Sequence, residues 1–196
     1  FDLFNKKFPT AVLSGVEFID AVASKGRQAG RDVKTGILSD LDDKPQFDLI
    51  IMNNLIEHVL NPIEELCEAH KRLKPGGHVF VETPNFKSWD FYFFKNIWGG
   101  LHVPRHTFLF TEISLRKLAE KTGYILVKAR YPLNTDHWAL SVQNWLQRTK
   151  VFRCEIKKGR VWYYKYLLFA FLPINVIQVL LKRTGSIICV FQKPKG

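Results

Sequence analysis

Apolar positions along this chain recur with two different periods, and the switches between them outline a series of strands and helices. Residues 47–52 form a short apolar run rich in Ile and read as a strand. Pro62 then opens a helix, where its missing N–H costs nothing. Ile63, Leu66, Cys67, His70 and Leu73 repeat at helical spacing, so one face of 63–73 is predicted to be buried. Lys74-Pro75-Gly76-Gly77 stops that helix and turns the chain, and 78–83 is the next strand. A strand–helix–strand unit of this length is a right-handed parallel crossover. Ligands of open parallel sheets sit outside the carboxyl ends of the strands. Asn53, Asn54 and the Glu57-His58 pair are therefore predicted at a ligand site.

The same reading covers the rest of the chain. Residues 1–8 read as the end of a helix with Phe1, Leu3, Phe4 and Phe8 on its apolar side. Residues 11–18 are a strand, 19–25 a helix ending near Gly26 or Gly30, and 32–36 a short strand. A polar, acidic loop occupies 38–46. Residues 86–110 hold nine Phe, Trp or Tyr side chains, broken by Trp98-Gly99-Gly100 and a Pro104-Arg105-His106 turn. Thr111 caps a helix over 112–122, and Gly123 ends it. A strand over 124–131 is closed by Pro132, which cannot donate to a ladder. Residues 135–147 read as a helix with Trp138, Leu140, Val142 and Trp145 as its apolar positions.

Residues 161–181 are strongly apolar and near the length of a membrane span. Lys165, Pro173, Asn175 and Gln178 interrupt them. Lys157, Lys158 and Arg160 flank one side, Lys182 and Arg183 the other. Residues 187–192 form a last strand. If it joins the sheet, 161–181 must return to the domain and cannot cross a bilayer. Two readings stay open: helices that cover the sheet, or a peripheral contact with an anionic membrane surface.

A length of 196 residues allows one domain with a proper core. The formal charge of +11 suits nucleic acid, an anionic membrane surface, an anionic substrate or simply a basic, solvated surface. No RNA-binding module motif is present, which counts against nucleic acid although the aromatic run could stack bases. Cys67, Cys154 and Cys189 are far apart and lack CxxC spacing, which argues against a disulfide framework or a zinc site. The expectation is a reducing, cytoplasmic setting without a signal peptide, peripheral to the inner face of a membrane if 161–181 makes that contact.

Three pieces, FDLI, LIEHVLNP and RLKPGGHVFVETPN, resemble class I S-adenosylmethionine-dependent methyltransferases, in particular the ubiquinone-pathway-like branches. A further piece, W-x-G-x-x-x-P-R-H at Trp98–His106, resembles a branch of the same family. The resemblance implies an α/β fold with a Rossmann-like, seven-stranded sheet and helices on both faces. It implies a core over 1–131 and, over 132–196, a helical cap or membrane-facing segment plus the last strand. The family's first strand and its G-x-G-x-G turn would precede Phe1, so the expectation is a piece of a longer protein; a non-catalytic remnant is the alternative. S-adenosylmethionine is the implied cofactor. Glu17, an acid at a strand's carboxyl end, could accept bonds from two ribose hydroxyls, and the family uses an acid there for that job; a surface Glu beside a helix N-terminus is the plainer reading. Ile37 and Leu38 stand where the family often has an acid facing adenine, and could form an apolar wall instead. Asn53 and Asn54 match positions that contact the amino-acid part of the cofactor, although Asn also serves turns.

Methyl transfer from a sulfonium is an in-line displacement, so positioning matters more than a fixed catalytic triad. His58 and His106 are the candidate proton acceptors. Arg105 could hold a phosphate or carboxylate, and with Trp98 it is assigned to the side of a small or lipid-linked acceptor. Both Glu57-His58 and Arg105-His106 could instead brace local structure. The ubiquinone-pathway O-methyltransferases carry a metal-binding E-x-x-E-H run here. This chain has Asn54 in place of its first acid, so no metal is assigned.

Overall fold

The computed structural model describes residues 2–41, 47–149 and 160–195. The chain divides into two compact units, Phe1–Pro45 and Gln46–Gly196. The boundary expected at 131/132 thus falls inside the second unit.

The first unit contains α1 (Asp2–Lys7), β1 (Ser14–Glu17), α2 (Asp20–Gln28) and β2 (Asp32–Thr35). β1 and β2 pair in parallel from Ser14↔Asp32 to Glu17↔Thr35. The crossover helix α2 lies close to β2: a Cβ on Gly26 would come within 3.1 Å of Val33 Cγ2. Arg27 closes the unit by donating to Asp20 Oδ1 (3.1 Å) and to the Val33 carbonyl (3.2 Å). A 3-10 turn, Leu38–Asp40, follows. Phe1, the side chain of Leu3 and residues 42–46 of the expected acidic loop lie outside the described residues.

The second unit is built on a four-stranded sheet. Its strands are β3 (Phe47–Asn53), β4 (Leu73–Pro84), β5 (Ile125–Arg130) and β6 (Ser186–Gln192), in the order β3-β4-β6-β5. β3 and β4 are parallel, joined by α3 (Pro62–Arg72). β6 runs antiparallel to both β4 and β5. Pro62 stands in the first turn of α3, and the Asn61 side chain caps it by accepting from the Glu64 N–H. Leu66, Ala69 and Leu73 are the buried face of α3, whereas Ile63, expected there, is partly exposed. β4 starts earlier than expected because Leu73 already pairs with Phe47. The register then shifts before Leu49↔His78, and Lys74–Gly77 forms that irregularity, with Gly76 at φ +79°. Met52, Val79, Val81, Ile187, Cys189 and Phe191 fill the sheet's core. Burial pushes the Cys189 thiol up to about 12, so it is a packing group.

α4 (Trp89–Phe94) and a 3-10 turn (Lys95–Ile97) follow β4, and α5 (Glu112–Lys121) precedes β5. Thr111 caps α5 by accepting from the Ser114 N–H, and Gly123 stops it with φ +85°. Between β5 and β6 lie α6 (Asp136–Arg148), α7 (Tyr164–Ala170) and α8 (Leu172–Leu180). The buried side of α6 differs from the expected one: Trp138, Ala139, Ser141 and Gln143 face inward, and Trp145 is exposed. The two polar residues are used, Ser141 Oγ by the Gly99 N–H (2.8 Å) and Gln143 Oε1 by the Val161 N–H (3.1 Å). The flanking residues Cys154, Lys157 and Lys158 lie outside the described residues.

No helix among the described residues is long and apolar enough to cross a membrane. The apolar stretch 161–181 breaks between α7 and α8 and leads into β6, which pairs inside the sheet. It therefore returns to the domain and does not span.

Candidate functional site

The carboxyl end of β3 carries Asn53 and Asn54, both exposed. Asn54 turns the chain with φ +49°, a conformation Asn tolerates better than most residues. Its N–H is held by the Glu82 carbonyl at 2.8 Å, and its Nδ2 donates to Asn53 Oδ1 at 3.1 Å. The amide of Asn53 and the carbonyl of Asn54 remain at the strand end.

The turn after β3 buries Glu57 at 1% exposure. Its Oε2 accepts from the Thr83 hydroxyl at 2.9 Å, while its buried Oε1 has no hydrogen-bond partner. Burial raises the carboxyl above its ordinary range, against the opposing pull of its backbone and Thr83. The Glu57 carbonyl receives the Thr107 N–H (2.8 Å), and Thr107 Oγ1 donates to the Glu57 and Val59 carbonyls (3.0 and 2.8 Å). These bonds bring the loop 98–106 to the turn after β3.

That loop delivers His106 to His58, with ring centroids 4.6 Å apart in an edge-on arrangement. Each imidazole is oriented by a backbone carbonyl: His58 Nδ1 on Arg105 O at 2.9 Å, and His106 Nδ1 on Gly100 O at 2.8 Å. A carbonyl only accepts, so each Nδ1 carries the proton and each neutral ring keeps its lone pair on Nε2. Burial pushes His106 down to about 4, so it is neutral at physiological pH. One donor atom each from Glu57, His58 and His106 lies within 4.8 Å of the others. The run Asn54-x-x-Glu57-His58 offered only two such groups. His106 adds the third from 48 positions away, which no local spacing reveals.

Arg105 is exposed at the site, and its carbonyl anchors His58. Trp98, expected to face an acceptor, is instead buried at 2% exposure. Its indole N–H donates to the buried Asp90 carboxylate at 2.7 Å, and its ring stands against Phe91 and His137. Trp98 is therefore a packing residue that fixes the loop bearing His106. Beside the loop is an open apolar cavity of about 400 Å³, lined by Phe86, Phe91, Tyr92, Lys95, Leu101 and Leu109. Leu101 precedes His102, whose ring is 5.3 Å from that of His106. Phe86, Phe91 and Lys95 were visible in the sequence only as part of an aromatic run.

In the first unit, Glu17 is half-buried at the end of β1, with Oε1 accepting the Ile19 N–H at 2.9 Å. Ile37 exposes its side chain, as a ligand wall requires. Leu38 is buried, so its side chain is a core group there.

A sequence model described as a methyltransferase domain matches residues 2–129. The mitochondrial ubiquinone biosynthesis O-methyltransferase of Candida albicans is 39% identical over 70 residues, which are 35% of this chain and 20% of that protein. The chain thus spans about a fifth of the length of that curated relative. A Thermotoga maritima methyltransferase, described as S-adenosylmethionine-dependent and a possible histamine N-methyltransferase, superposes with a TM-score of 0.61 at 20% identity, over 94% of this chain and 74% of its own. The phosphoethanolamine N-methyltransferase 2 of Haemonchus contortus, solved with S-adenosylmethionine, gives 0.56 at 15% identity, over 98% of this chain and 45% of its own. Both superpositions show a Rossmann-like methyltransferase fold. Matched by the family's model over well more than half its length, the chain belongs to the methyltransferase-domain family.

Proposed function

We propose that this chain carries out S-adenosylmethionine-dependent methyl transfer to a small or lipid-linked acceptor. One observation carries the reading. Two imidazoles, His58 and His106, are each anchored through Nδ1, which leaves two Nε2 lone pairs, and the loop that brings His106 there also carries Leu101 of the apolar cavity. When bound, the sulfonium cofactor supplies an activated methyl group and a neutral thioether leaving group. The chain's own residues need to seat the acceptor, exclude water and receive one proton.

His106 Nε2 is the proposed proton acceptor, with His58 as its neighbour and alternate. A value of about 4 makes His106 a weak base, yet that suffices here. An acceptor hydroxyl oxygen becomes strongly acidic as the new bond to carbon forms, so its proton passes downhill to a neutral imidazole. Phe86, Phe91 and Leu101 would seat the apolar body of the acceptor, and Lys95 and Arg105 any anionic group.

The residues present fit the cofactor's chemistry. Glu17 would accept from ribose hydroxyls, and Ile37 would border the adenine. The Asn53 amide would serve a carboxylate and the Asn54 carbonyl an ammonium. Leu38 would contribute through its backbone. Free Cys67 and Cys189 fit a reducing compartment such as the cytoplasm.

The partnerless Oε1 of Glu57 favours a second reading, in which a divalent cation is held by Glu57, His58 and His106. The two readings separate in one assay, methyl transfer by the full-length protein. His106→Asn lowers kcat about 100-fold or more while cofactor affinity by calorimetry is unchanged. Unchanged kcat refutes the proton-acceptor role; abolition of wild-type activity by EDTA, restored by metal, selects the second reading.

A further inference from the structure

α8 is inside out. Its polar residues Asn175 and Gln178 are fully buried, while Val176, Ile177, Leu180 and the following Leu181 are 49%, 49%, 77% and 54% exposed. The rotation of the helix is fixed by the amides. Asn175 accepts the Asn134 N–H (2.8 Å) and donates to the Asn134 carbonyl (3.1 Å). Gln178 accepts the Trp138 indole N–H (2.8 Å) and donates to Asp90 (3.1 Å) and to the Arg183 carbonyl (2.7 Å). Rolling α8 to hide its apolar side would leave these buried groups unpaired, at a cost of about 1–3 kcal/mol for each. α7 adds Trp162, just before it, and Tyr166 and Phe169, all more than 60% exposed. The positions 162, 166, 169 and 176, 177, 180, 181 repeat at helical spacing, so each helix presents one apolar stripe. Monomeric proteins rarely leave such a patch uncovered.

The charge of the segment says what covers it. From Arg160 to the end of the chain the charged side chains are Arg160, Lys165, Lys182, Arg183, Lys193 and Lys195, with no Asp or Glu. Lys165 and Lys182 are exposed and border the two stripes. A second copy of the chain would bring a face of the same sign and be repelled. Aliphatic side chains with Trp and Tyr among them, rimmed by cations, match the interface of an anionic bilayer.

We propose that α7 and α8 form a peripheral membrane-docking face that lies among anionic lipid headgroups. The inference stands apart from methyl transfer, since it needs neither cofactor nor acceptor. The test is flotation of the full chain with phosphatidylcholine vesicles and with vesicles doped with phosphatidylglycerol. Wild type is expected to float with the anionic vesicles only, and less as salt is raised. Lys165→Gln and Lys182→Gln each lower the partition coefficient about fivefold. Leu180→Asp, at an exposed position, lowers it further while leaving the melting temperature unchanged. The proposal is overturned if wild type ignores anionic vesicles, binds neutral ones equally well, or binds no better than these variants. It is also overturned if light scattering shows a dimer that Leu180→Asp dissolves.

Discussion

Replacing Thr83 by Val tests how the buried carboxylate at the centre of the site is held. The two side chains have nearly the same shape, so the change removes one hydroxyl and little else. That hydroxyl donates to Glu57 Oε2 at 2.9 Å, and both residues are at most 1% exposed. Glu57 Oε1 already has no partner among the described residues, so the variant leaves the carboxylate without any side-chain hydrogen bond in a dry place. An acceptor stranded in this way costs about 2 kcal/mol, within a range of about 1–3. For a chain of this size that lowers the melting temperature by about 4–8 °C.

The loss has a pH signature with a definite sign. Burial holds the Glu57 carboxyl above its ordinary value of 4.5. Its favourable contribution is therefore complete below 4.5 and is lost as pH rises through the folded-state value. The Thr83 hydroxyl favours the charged form, so Thr83→Val raises the folded-state value further. The gap between variant and wild type should be small in mildly acidic buffer and widen toward neutrality. Melting is followed by calorimetry across that range in EDTA, so that no cation at Oε1 carries the charge. In a Glu57→Gln background, which has no titrating group, the gap should not change with pH. A gap below about 1 °C, or one constant with pH in the Glu57 background, would refute a buried, Thr83-bonded carboxylate.

Gly99→Ala should destabilise by about 2–3 kcal/mol, seen as a lower calorimetric melting temperature. The new Cβ would lie 2.5 Å from Leu140 Cβ and 3.1 Å from the His137 carbonyl, atoms fixed on α6. Glu17→Ala, in the full-length protein, should weaken S-adenosylmethionine binding by about 10-fold or more, as loss of charged hydrogen bonds to two hydroxyls requires. Unchanged affinity by calorimetry would sink the ribose role.

Much of the fold is legible because its elements carry their own signals. The periodic run 63–73 with Pro62 in front, Thr111 before α5 and Gly123 after it fix helices from within a few residues. The strands β3 and β6 are short apolar runs that announce themselves, but only β6 is well buried; β3 exposes Leu49 and Ile51 and buries Met52, which the run itself does not tell. The glycines of the Trp98-Gly99-Gly100 break read as a turn, yet neither is required by a positive φ. A Cβ on Gly99 would strike α6, and one on Gly100 would lie 2.5 Å from the Trp98 ring. Their reason is space, which local pattern cannot express.

The site was half legible for the same kind of reason. Asn53, Asn54, Glu57 and His58 follow from being next in sequence to a strand's carboxyl end. The meeting of His58 with His106 depends on Thr107 reaching the Glu57 backbone, a contact across 50 residues that leaves no periodic trace.

Asp90 shows where periodicity misleads. As an acid in the first turn of α4 it looks like a solvated charge at a helix N-terminus. It is fully buried, and it receives the Trp98 indole from the loop and the Gln178 amide from α8. A polar residue is read as outward by default, because burial without partners is costly. Asp90 and Gln178 invert that default by partnering each other across 88 residues. That pairing commits α8 to turn its polar side toward α4 and α6. The exposed apolar stripe of α8 is thus tied to the same carboxylate that, through Trp98, holds the loop carrying His106. A variant that breaks the bond, such as Gln178→Leu, should disturb both the loop and the outward face, whereas Leu180→Asp should alter the face alone.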